Sequence, residues 1–331
     1  MKIIPEKLVE GDQLRVIAPS RSLKIISEEN INHAVNAIEA LDLKVTFGKN
    51  VNEIDMMSSS SIASRIEDLH EAFSDKNVKA ILTVIGGFNS NQLFRYIDYD
   101  LIKKNPKIFC GFSDITALQN AIYSRTGLIT YSGPHFSTFG MKKGFEYSLD
   151  YFKKIFFQQK RIELMPSEQW ADDAWFLNQD DRTFYDNEGY WLINEGNAKG
   201  TIVGGSLSTI QLLHGTSYMP SLENSILFIE ADAITDGNFD VVEFDRDLQS
   251  LIHQPNFDKV QGILIGRFEK KFNMNLEQLK FIISSKQELR NIPIIANADF
   301  GHTMPIFTFP IGGLCEISAS EENIKIELFE E

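Results

Sequence analysis

A serine stands where a predicted strand runs directly into a predicted helix. The segment 107–111 predicts a buried strand, and Ser113 and Asp114 follow it at the start of a helical pattern over 114–124. A serine at such a turn presents its hydroxyl at the rim of a parallel sheet, as in a nucleophile elbow, although Ile115 replaces the final glycine of the G-x-S-x-G pattern. A Ser-Asp pair before a helix is also typical of an ordinary N-cap, so the local sequence leaves both interpretations open.

A serine nucleophile needs a base, and the base needs a carboxylate that orients it. Of the six histidines, His135 and His302 fall in predicted loops, and only His302 follows a buried strand. Glu230 ends the apolar strand 225–229, where a carboxylate is costly unless it is paired; a solvated strand end is the alternative. The chain order Ser113, Glu230, His302 is that of α/β-hydrolases, but geometry rather than order defines a triad.

Two glycines follow the neighbouring strand. Gly86 and Gly87 come directly after the strand predicted over 78–85. A right-handed crossover places this turn at the same rim of the sheet as Ser113, where ligands of open parallel sheets bind. Glycines there would let backbone N–H groups approach a developing oxyanion, whereas a plain turn that needs a positive φ is equally consistent with the sequence.

Strands and helices alternate through the first 130 residues, which predicts a doubly wound parallel sheet. An acidic segment without periodicity covers 165–190, and apolar strand candidates resume after it. We therefore predict an α/β protein with an N-terminal domain over 1–164, an interdomain loop over 165–190 and a C-terminal domain over 191–331. The predicted strands are 13–18, 43–47, 78–85, 107–111, 128–131, 200–203, 225–229, 260–265, 292–296, 306–309 and 324–328, and the predicted helices are 27–41, 62–73, 91–97, 114–124, 207–214, 244–253 and 276–288.

The composition excludes several classes of protein. Thirty-two Lys and Arg against 46 Asp and Glu give a net charge of −14, which argues against a nucleic-acid polymer as partner. No apolar run approaches the roughly 18 residues of a membrane helix, so no membrane partner is expected. Cys110 and Cys315 lie in or beside apolar runs and indicate buried free thiols, hence a cytoplasmic location.

No cofactor or metal is expected. The chain contains neither G-x-x-x-x-G-K-[ST] nor G-x-G-x-x-G, the fingerprints of nucleoside triphosphate and dinucleotide binding. No pair of histidines or cysteines has the spacing of a zinc site.

Several stretches in fixed order resemble the LD-carboxypeptidases, serine peptidases with a Ser-Glu-His triad. Within that family the chain is most similar to the microcin C self-immunity group. The stretches span nearly the whole chain, and they are specific as an ordered set. They are GDQLRVIAPSRS (11–22), IGGFNSNQL (85–93), GFSDITA (111–117), YSGPHFSTFG (131–140), GGSL (204–207), ILFIE (226–230), RDLQSLIHQP (246–255) and FGHTMPIFTFPIG (300–312).

The resemblance implies a role for each candidate. Ser113 would be the nucleophile, His302 the general base and Glu230 the acid that orients it, with the backbone N–H groups of Gly87 and Asp114 as oxyanion donors. It also implies a Rossmann-like N-terminal domain that carries the serine, a β-rich C-terminal domain that carries the other two, and a homodimer. The expected reaction is hydrolysis of an amide next to a free carboxylate in a small molecule or short peptide.

The resemblance favours microcin-like aminoacyl or peptidyl nucleotides as substrates, with muropeptides of cell-wall recycling as the alternative. A non-catalytic binding protein on the same scaffold is a third possibility. Trp170 and Trp175 would give a nucleobase an aromatic face to stack on, or would merely pin the loop to the core. The other expected substrate contacts are Gly86, Asn89 and Ser206; Ser206 stands where family members often have asparagine.

Overall fold

The computed structural model describes residues 2–158, 161–235 and 238–329. Its helices are α1 (Glu28–Glu39), α2 (Ile62–Ser74), α3 (Tyr99–Lys104), α4 (Ile115–Thr126), α5 (Glu146–Phe157), α6 (Leu207–Ile210), α7 (Asn238–Ile252) and α8 (Leu276–Ser284). Its strands are β1 (Gln13–Ile17), β2 (Lys44–Phe47), β3 (Val78–Thr83), β4 (Ile108–Gly111), β5 (Thr130–Ser132), β6 (Ile162–Glu163), β7 (Gln169–Trp170), β8 (Tyr185–Asp186), β9 (Trp191–Asn194), β10 (Gly196–Ser206), β11 (Ser225–Glu230), β12 (Gly262–Gly266), β13 (Ile294–Ala298), β14 (Phe309–Ile311), β15 (Leu314–Ala319) and β16 (Ile324–Phe329).

The first sheet has six strands in the order β14-β5-β4-β3-β1-β2. The five strands from the N-terminal part of the chain run parallel, whereas β14 pairs antiparallel with β5. Strands β3 and β4 are almost wholly buried because helices cover both faces, which explains their continuous apolar sequences. The doubly wound sheet predicted from the sequence is therefore confirmed.

The second sheet has eight strands in the order β6-β16-β15-β10-β11-β12-β13-β9. Its central strands β10 to β13 are parallel, and the antiparallel strands β15 and β9 flank them. The parallel centre again places the carboxyl ends of β11 and β13 at one rim. A β-rich second part of the molecule was predicted, and the structure confirms it.

The two sheets share one apolar core. Leu82 of β3, Phe228 of β11 and Phe309 of β14 belong to the same cluster of buried side chains. Helix α4 also hydrogen-bonds to β10: Asn120 Nδ2 donates to the carbonyl of Gly204 over 2.8 Å. These contacts hold the rims of the two sheets against each other.

The sequence mispredicted some elements. The helix expected over 91–97 is a short 3₁₀ turn, Ser90–Leu93. The backbone N–H of Ser90 donates to Asp114, and Arg65 donates to the Gln92 side chain, so tertiary contacts override the local pattern. Helices α3 and α5 were not predicted, the helix expected over 276–288 ends at Ser284, and the strand expected over 306–309 is β14.

The segment over 165–190 is mostly irregular. Its regular part is the short antiparallel pair β7–β8, which was not predicted. Across the described ranges, no helix combines the length and the apolar character that crossing a bilayer requires.

Candidate active site

Ser113 lies in the turn between β4 and α4. Its φ of +60° places it in the left-handed region, which costs a residue other than glycine about 1–3 kcal/mol. The N-cap of α4 is Asp114, whose side chain makes no capping hydrogen bond to that helix. Ser113 is therefore not the N-cap, and the sharp turn presents its hydroxyl at the carboxyl ends of the first sheet.

His302 lies between Ser113 and Glu230. Its Nε2 is 3.0 Å from Ser113 Oγ, and its Nδ1 is 2.8 Å from Glu230 Oε2. Glu230 is the last residue of β11 and is only 3% exposed, whereas His302 follows β13 in a loop. The structure thus joins three residues from distant parts of the chain in one line of hydrogen bonds, as a serine nucleophile, a base and an orienting carboxylate require.

Glu230 occupies space that side chains at two neighbouring glycine positions would fill. A Cβ on Gly301 would lie 2.8 Å from Glu230 Oε2, and one on Gly266 would lie 2.7 Å from Glu230 Cβ. Gly301 also has a φ of +108°, which side chains rarely tolerate. The glycine directly before His302 therefore allows the imidazole to approach the buried carboxylate.

Three carboxylates act on the His302 imidazole. Burial by itself lowers the pKa of His302, but the charge and hydrogen bond of Glu230, followed by the charges of Asp232 and Glu269, outweigh it and raise the pKa to about 9. Asp232 Oδ2 is 4.0 Å from His302 Nε2. The imidazolium that forms when a base takes a proton is therefore strongly stabilised here.

The carboxylate of Asp114 organises the loop that follows β3. Its Oδ2 accepts hydrogen bonds from Ser20 Oγ over 2.6 Å and from the backbone N–H groups of Asn89 and Ser90 over 3.0 Å. This loop packs closely on the nucleophile turn, because a Cβ on Gly86 would lie 2.9 Å from Ser113 Cβ. The Gly86–Gly87 turn thus lies at the rim predicted for it.

A cleft of about 400 Å³ opens over Ser113 and His302. Its lining combines apolar and aromatic surface with charges of both signs, as small-molecule sites do. In the part of the chain that the structure describes, no group of three or more His, Cys, Asp or Glu is arranged to hold a metal ion. The charged and aromatic residues of the lining are Arg21, Lys271, Asp172, Asp173, Asp232, Glu269, Phe88, Phe112, Trp175 and Phe176.

The structure brings only part of the expected substrate contacts to this cleft. Gly86 and Trp175 line it. Trp170 instead packs on Tyr185 and under the guanidinium of Arg267, whereas Trp175 both lines the cleft and packs against the main apolar core. Asn89 Oδ1 accepts from Arg65, and the buried Ser206 hydroxyl bonds to Ser208; neither residue is part of the described lining.

Sequence reasoning missed Arg21 and Asp232. Arg21 lies in the loop after β1, and its Nε donates to the carbonyl of Gly86 over 3.2 Å. Asp232 follows Glu230 by two residues. The signal that identified Ser113, a polar residue just beyond the carboxyl end of a parallel strand, applies to both residues and would have found them.

Family models match both halves of the chain. The LD-carboxypeptidase N-terminal domain matches residues 14–133, and the LD-carboxypeptidase C-terminal domain matches residues 199–317. The chain belongs to the LD-carboxypeptidase family, and it is a serine peptidase.

Three curated relatives show the range of this family. YocD of Bacillus subtilis, named as a carboxypeptidase, is 54% identical and covers 95% of both chains. The microcin C7 self-immunity protein MccF of Escherichia coli is 29% identical over 98% of this chain and 95% of its own. A Bacillus subtilis protein named as a murein peptide carboxypeptidase is 30% identical over 98% of this chain and 94% of its own.

Solved structures agree with the fold. An MccF-like protein of Bacillus anthracis, 55% identical, superimposes with a TM-score of 0.98 over 99% of this chain and 100% of its own. MccF in complex with glutamyl sulfamoyl guanosine, 27% identical, superimposes with a TM-score of 0.86 over 99% and 98% of the two chains.

Proposed function

We propose that this chain is a serine carboxypeptidase that hydrolyses an amide next to a free carboxylate with Ser113, His302 and Glu230. One observation carries the proposal. The two hydrogen bonds at His302, 3.0 Å to Ser113 Oγ and 2.8 Å to Glu230 Oε2, unite three side chains that neither sheet alone could supply.

The reaction follows from this geometry. Ser113 Oγ attacks the scissile carbonyl while His302 Nε2 takes the hydroxyl proton, and Glu230 stabilises the imidazolium. The imidazolium then gives its proton to the leaving nitrogen, and an acyl ester of Ser113 remains. Water, deprotonated by His302, hydrolyses that ester and restores the free hydroxyl.

The oxyanion is proposed to bind the backbone N–H groups of Gly87 and Asp114. Neither group donates to a backbone or side-chain acceptor within the described residues. Gly87 lies in the turn that packs on Ser113, and Asp114 follows the nucleophile directly. Two such donors aimed at the developing charge supply the electrostatic part of the catalysis.

Replacing the nucleophile tests the proposal. Ser113→Ala should lower kcat by roughly 10³-fold or more with substrate binding largely kept, because the acyl ester can no longer form. A fluorophosphonate probe should label the parent and not this variant. Ser137→Ala is the matched control, since Ser137 is a buried serine that lines the same cleft. A parent protein that neither hydrolyses the candidate substrates nor takes the label, and whose binding Ser113→Ala leaves unchanged, would instead support the non-catalytic binding protein.

For the substrate we propose aminoacyl or peptidyl nucleotides of the microcin C kind. Solved complexes of MccF hold glutamyl sulfamoyl guanosine and aspartyl sulfamoyl adenosine. In this chain Trp175 gives the cleft an aromatic face, and Arg21 and Lys271 give it positive charge. An aromatic face suits a nucleobase because every base has a π-face to stack on.

A muropeptide is the second candidate, favoured by the similarity to the murein peptide carboxypeptidase. The two candidates are separated by offering aspartyl sulfamoyl adenosine and a tetrapeptide that ends in D-alanine to the same purified protein. Cleavage of the tetrapeptide without cleavage of the nucleotide would overturn our substrate preference while leaving the serine peptidase mechanism intact.

We further propose a homodimer in a reducing compartment. The homodimer is implied by the family resemblance, and sedimentation at several protein concentrations tests it. The reducing compartment is supported by Cys110 and Cys315, which are buried free thiols. Burial raises the pKa of both thiols, which keeps them protonated and unreactive.

A further inference from the structure

His135 lies in the cleft but has no part in the proposed chemistry. It follows β5, is 2% exposed, and lines the same cleft as Ser113 and His302. Its ring stacks on Phe112 with 4.2 Å between centroids, and Phe112 also meets the ring of His302 edge-on at 5.7 Å. His135 therefore flanks the residue that precedes the nucleophile.

The contacts of Thr83 favour the tautomer of His135 that carries its proton on Nδ1. Thr83 Oγ1 lies 3.3 Å from the carbonyl oxygen of Cys110 and 2.9 Å from His135 Nδ1. The carbonyl can only accept, so when the hydroxyl donates to it, the hydroxyl oxygen accepts from His135 Nδ1–H. With its proton on Nδ1, the ring carries a lone pair on Nε2. That nitrogen is buried and has no hydrogen-bond partner among the described residues.

The His135 imidazole is uncharged at neutral pH and above. Burial, followed by the charges of His302 and Arg21, lowers the pKa of His135 to about 3. An imidazole with so low a pKa is a poor general base at neutral pH. The Ser113 hydroxyl is in any case paired with His302. A buried acceptor without a partner is unfavourable, and a ligand that brings a donor removes that penalty.

We propose that His135 Nε2 accepts a hydrogen bond from the substrate's α-nitrogen, the N–H group attached to the carbon next to the scissile carbonyl. This contact makes His135 a specificity-determining residue. The inference rests on the proposed function, because the acyl carbon must then lie at Ser113 Oγ. Phe112 and His135 line the cleft together with Ser113, so the proposal places the substituents of the next carbon against them. In aminoacyl nucleotides and in muropeptides alike, that carbon carries a nitrogen with a hydrogen.

A pair of ligands tests the inference by binding, without turnover. Aspartyl and succinyl sulfamoyl adenosine differ only in the α-amino group. The Ser113→Ala protein should bind the aspartyl compound about 10- to 100-fold more tightly, because the succinyl compound leaves a buried acceptor unpaired. In Ser113→Ala/His135→Phe that ratio should fall towards one, and in Ser113→Ala/His135→Gln, which keeps an acceptor, part of it should return.

Asp232 supplies the control, because its carboxylate lies in the same cleft and would also attract an ammonium group. Asp232→Asn in the Ser113→Ala background should retain most of the discrimination. If Asp232→Asn abolishes the discrimination and His135→Phe preserves it, the amine is bound by Asp232 and our inference is wrong.

Nitrogen-15 spectra of histidine-labelled Ser113→Ala protein test the acceptor directly and do not depend on a folded His135 variant. The His135 Nε2 signal should be that of an unprotonated nitrogen, and it should shift with the aspartyl but not with the succinyl compound. A protonated Nε2 in the free protein would refute the inference. Failure of both compounds to bind would contradict the nucleotide proposal alone; acetyl-lysyl-D-alanine and its Nα-methylated form would then decide the role of His135.

Discussion

At the scale of single residues, the surroundings of His302 set the pH at which the proposed base can act. Glu230 orients the ring, but its charge and those of Asp232 and Glu269 also favour the protonated imidazole. A base must be neutral to accept a proton. The carboxylates that stabilise the imidazolium during the reaction therefore also reduce the fraction of free enzyme that is active at neutral pH.

We predict that kcat/KM rises with pH well above the 6.5 of an ordinary histidine. The pKa of His302 is raised to about 9, so the protonated, inactive form persists to higher pH. The acidic limb of the kcat/KM profile therefore moves to higher pH. A pH profile of kcat/KM on a substrate that does not itself titrate in this range measures the limb. A limb near 6.5 would mean that the three carboxylates do not act on the base as described.

Asp232→Asn should move that limb to lower pH. The Asp232 carboxylate lies 4.0 Å from His302 Nε2, and loss of its charge removes one of the interactions that raise the pKa. Asp172→Asn is the control, because Asp172 lines the same cleft but accepts a hydrogen bond from the backbone N–H of Lys270. If the acidic limb of the kcat/KM profile lies at the same pH in both variants, the effect is not specific to Asp232.

At the scale of elements, the start of α4 and the loop after β3 form one unit through Asp114. The sequence pattern predicts that Asp114 helps to cap the helix. Its carboxylate makes no capping hydrogen bond and instead accepts hydrogen bonds from the neighbouring loop. This loop contains Gly86, which packs on the nucleophile turn, and Gly87, which packs on Ser20 and Arg21. The position of the proposed oxyanion donors therefore depends on a contact between two βα units.

Asp114→Ala should lower both stability and kcat/KM. It removes the acceptor of three hydrogen bonds, and each buried donor left unpaired costs about 1–3 kcal/mol. Asp98→Ala is the matched control, because Asp98 caps α3 through Leu101 N–H and its loss costs only about 1 kcal/mol. Denaturant unfolding and steady-state kinetics compare the two. A kcat/KM for Asp114→Ala equal to that of Asp98→Ala would contradict the role given to this carboxylate.

Local periodicity was sufficient to predict the elements with long apolar patterns. Strands β1, β3 and β4 and helices α1, α2 and α4 lie close to their predicted bounds because burial of one face or both dictates their sequences. The 3₁₀ turn Ser90–Leu93 and the pairing of β14 with β5 depend on contacts distant in the chain. The choice between a cap and a nucleophile at Ser113 likewise required the resemblance, because both roles place the same residue before a helix.

At the scale of the whole molecule, the proposed site exists only because two sheets meet. Ser113 follows β4 of the first sheet, whereas Glu230 ends β11 and His302 follows β13 in the second sheet. Helix α4 begins beside Ser113 and contacts β10 through two buried hydrogen bonds. Asn120 donates to the carbonyl of Gly204, and the Ser206 N–H donates to Thr116 Oγ1. The relative position of the sheets therefore sets the distance between Ser113 and His302.

Gly205→Ala should disturb this contact and thereby the site. Gly205 has a φ of +126°, and a Cβ there would lie 2.4 Å from Thr116 Oγ1, so the Thr116 side chain and with it the α4–β10 contact must shift. Gly215→Ala is the control: its φ of +71° imposes backbone strain of about 1–3 kcal/mol, but its Cβ would meet open space. Below the melting temperature of both variants, we expect kcat/KM to fall at least about 10-fold in Gly205→Ala and to stay near the parent value in Gly215→Ala, because a misplaced base of even 1 Å is costly. Equal kcat/KM values in the two variants would show that the α4–β10 contact stabilises the fold without setting the distance between Ser113 and His302.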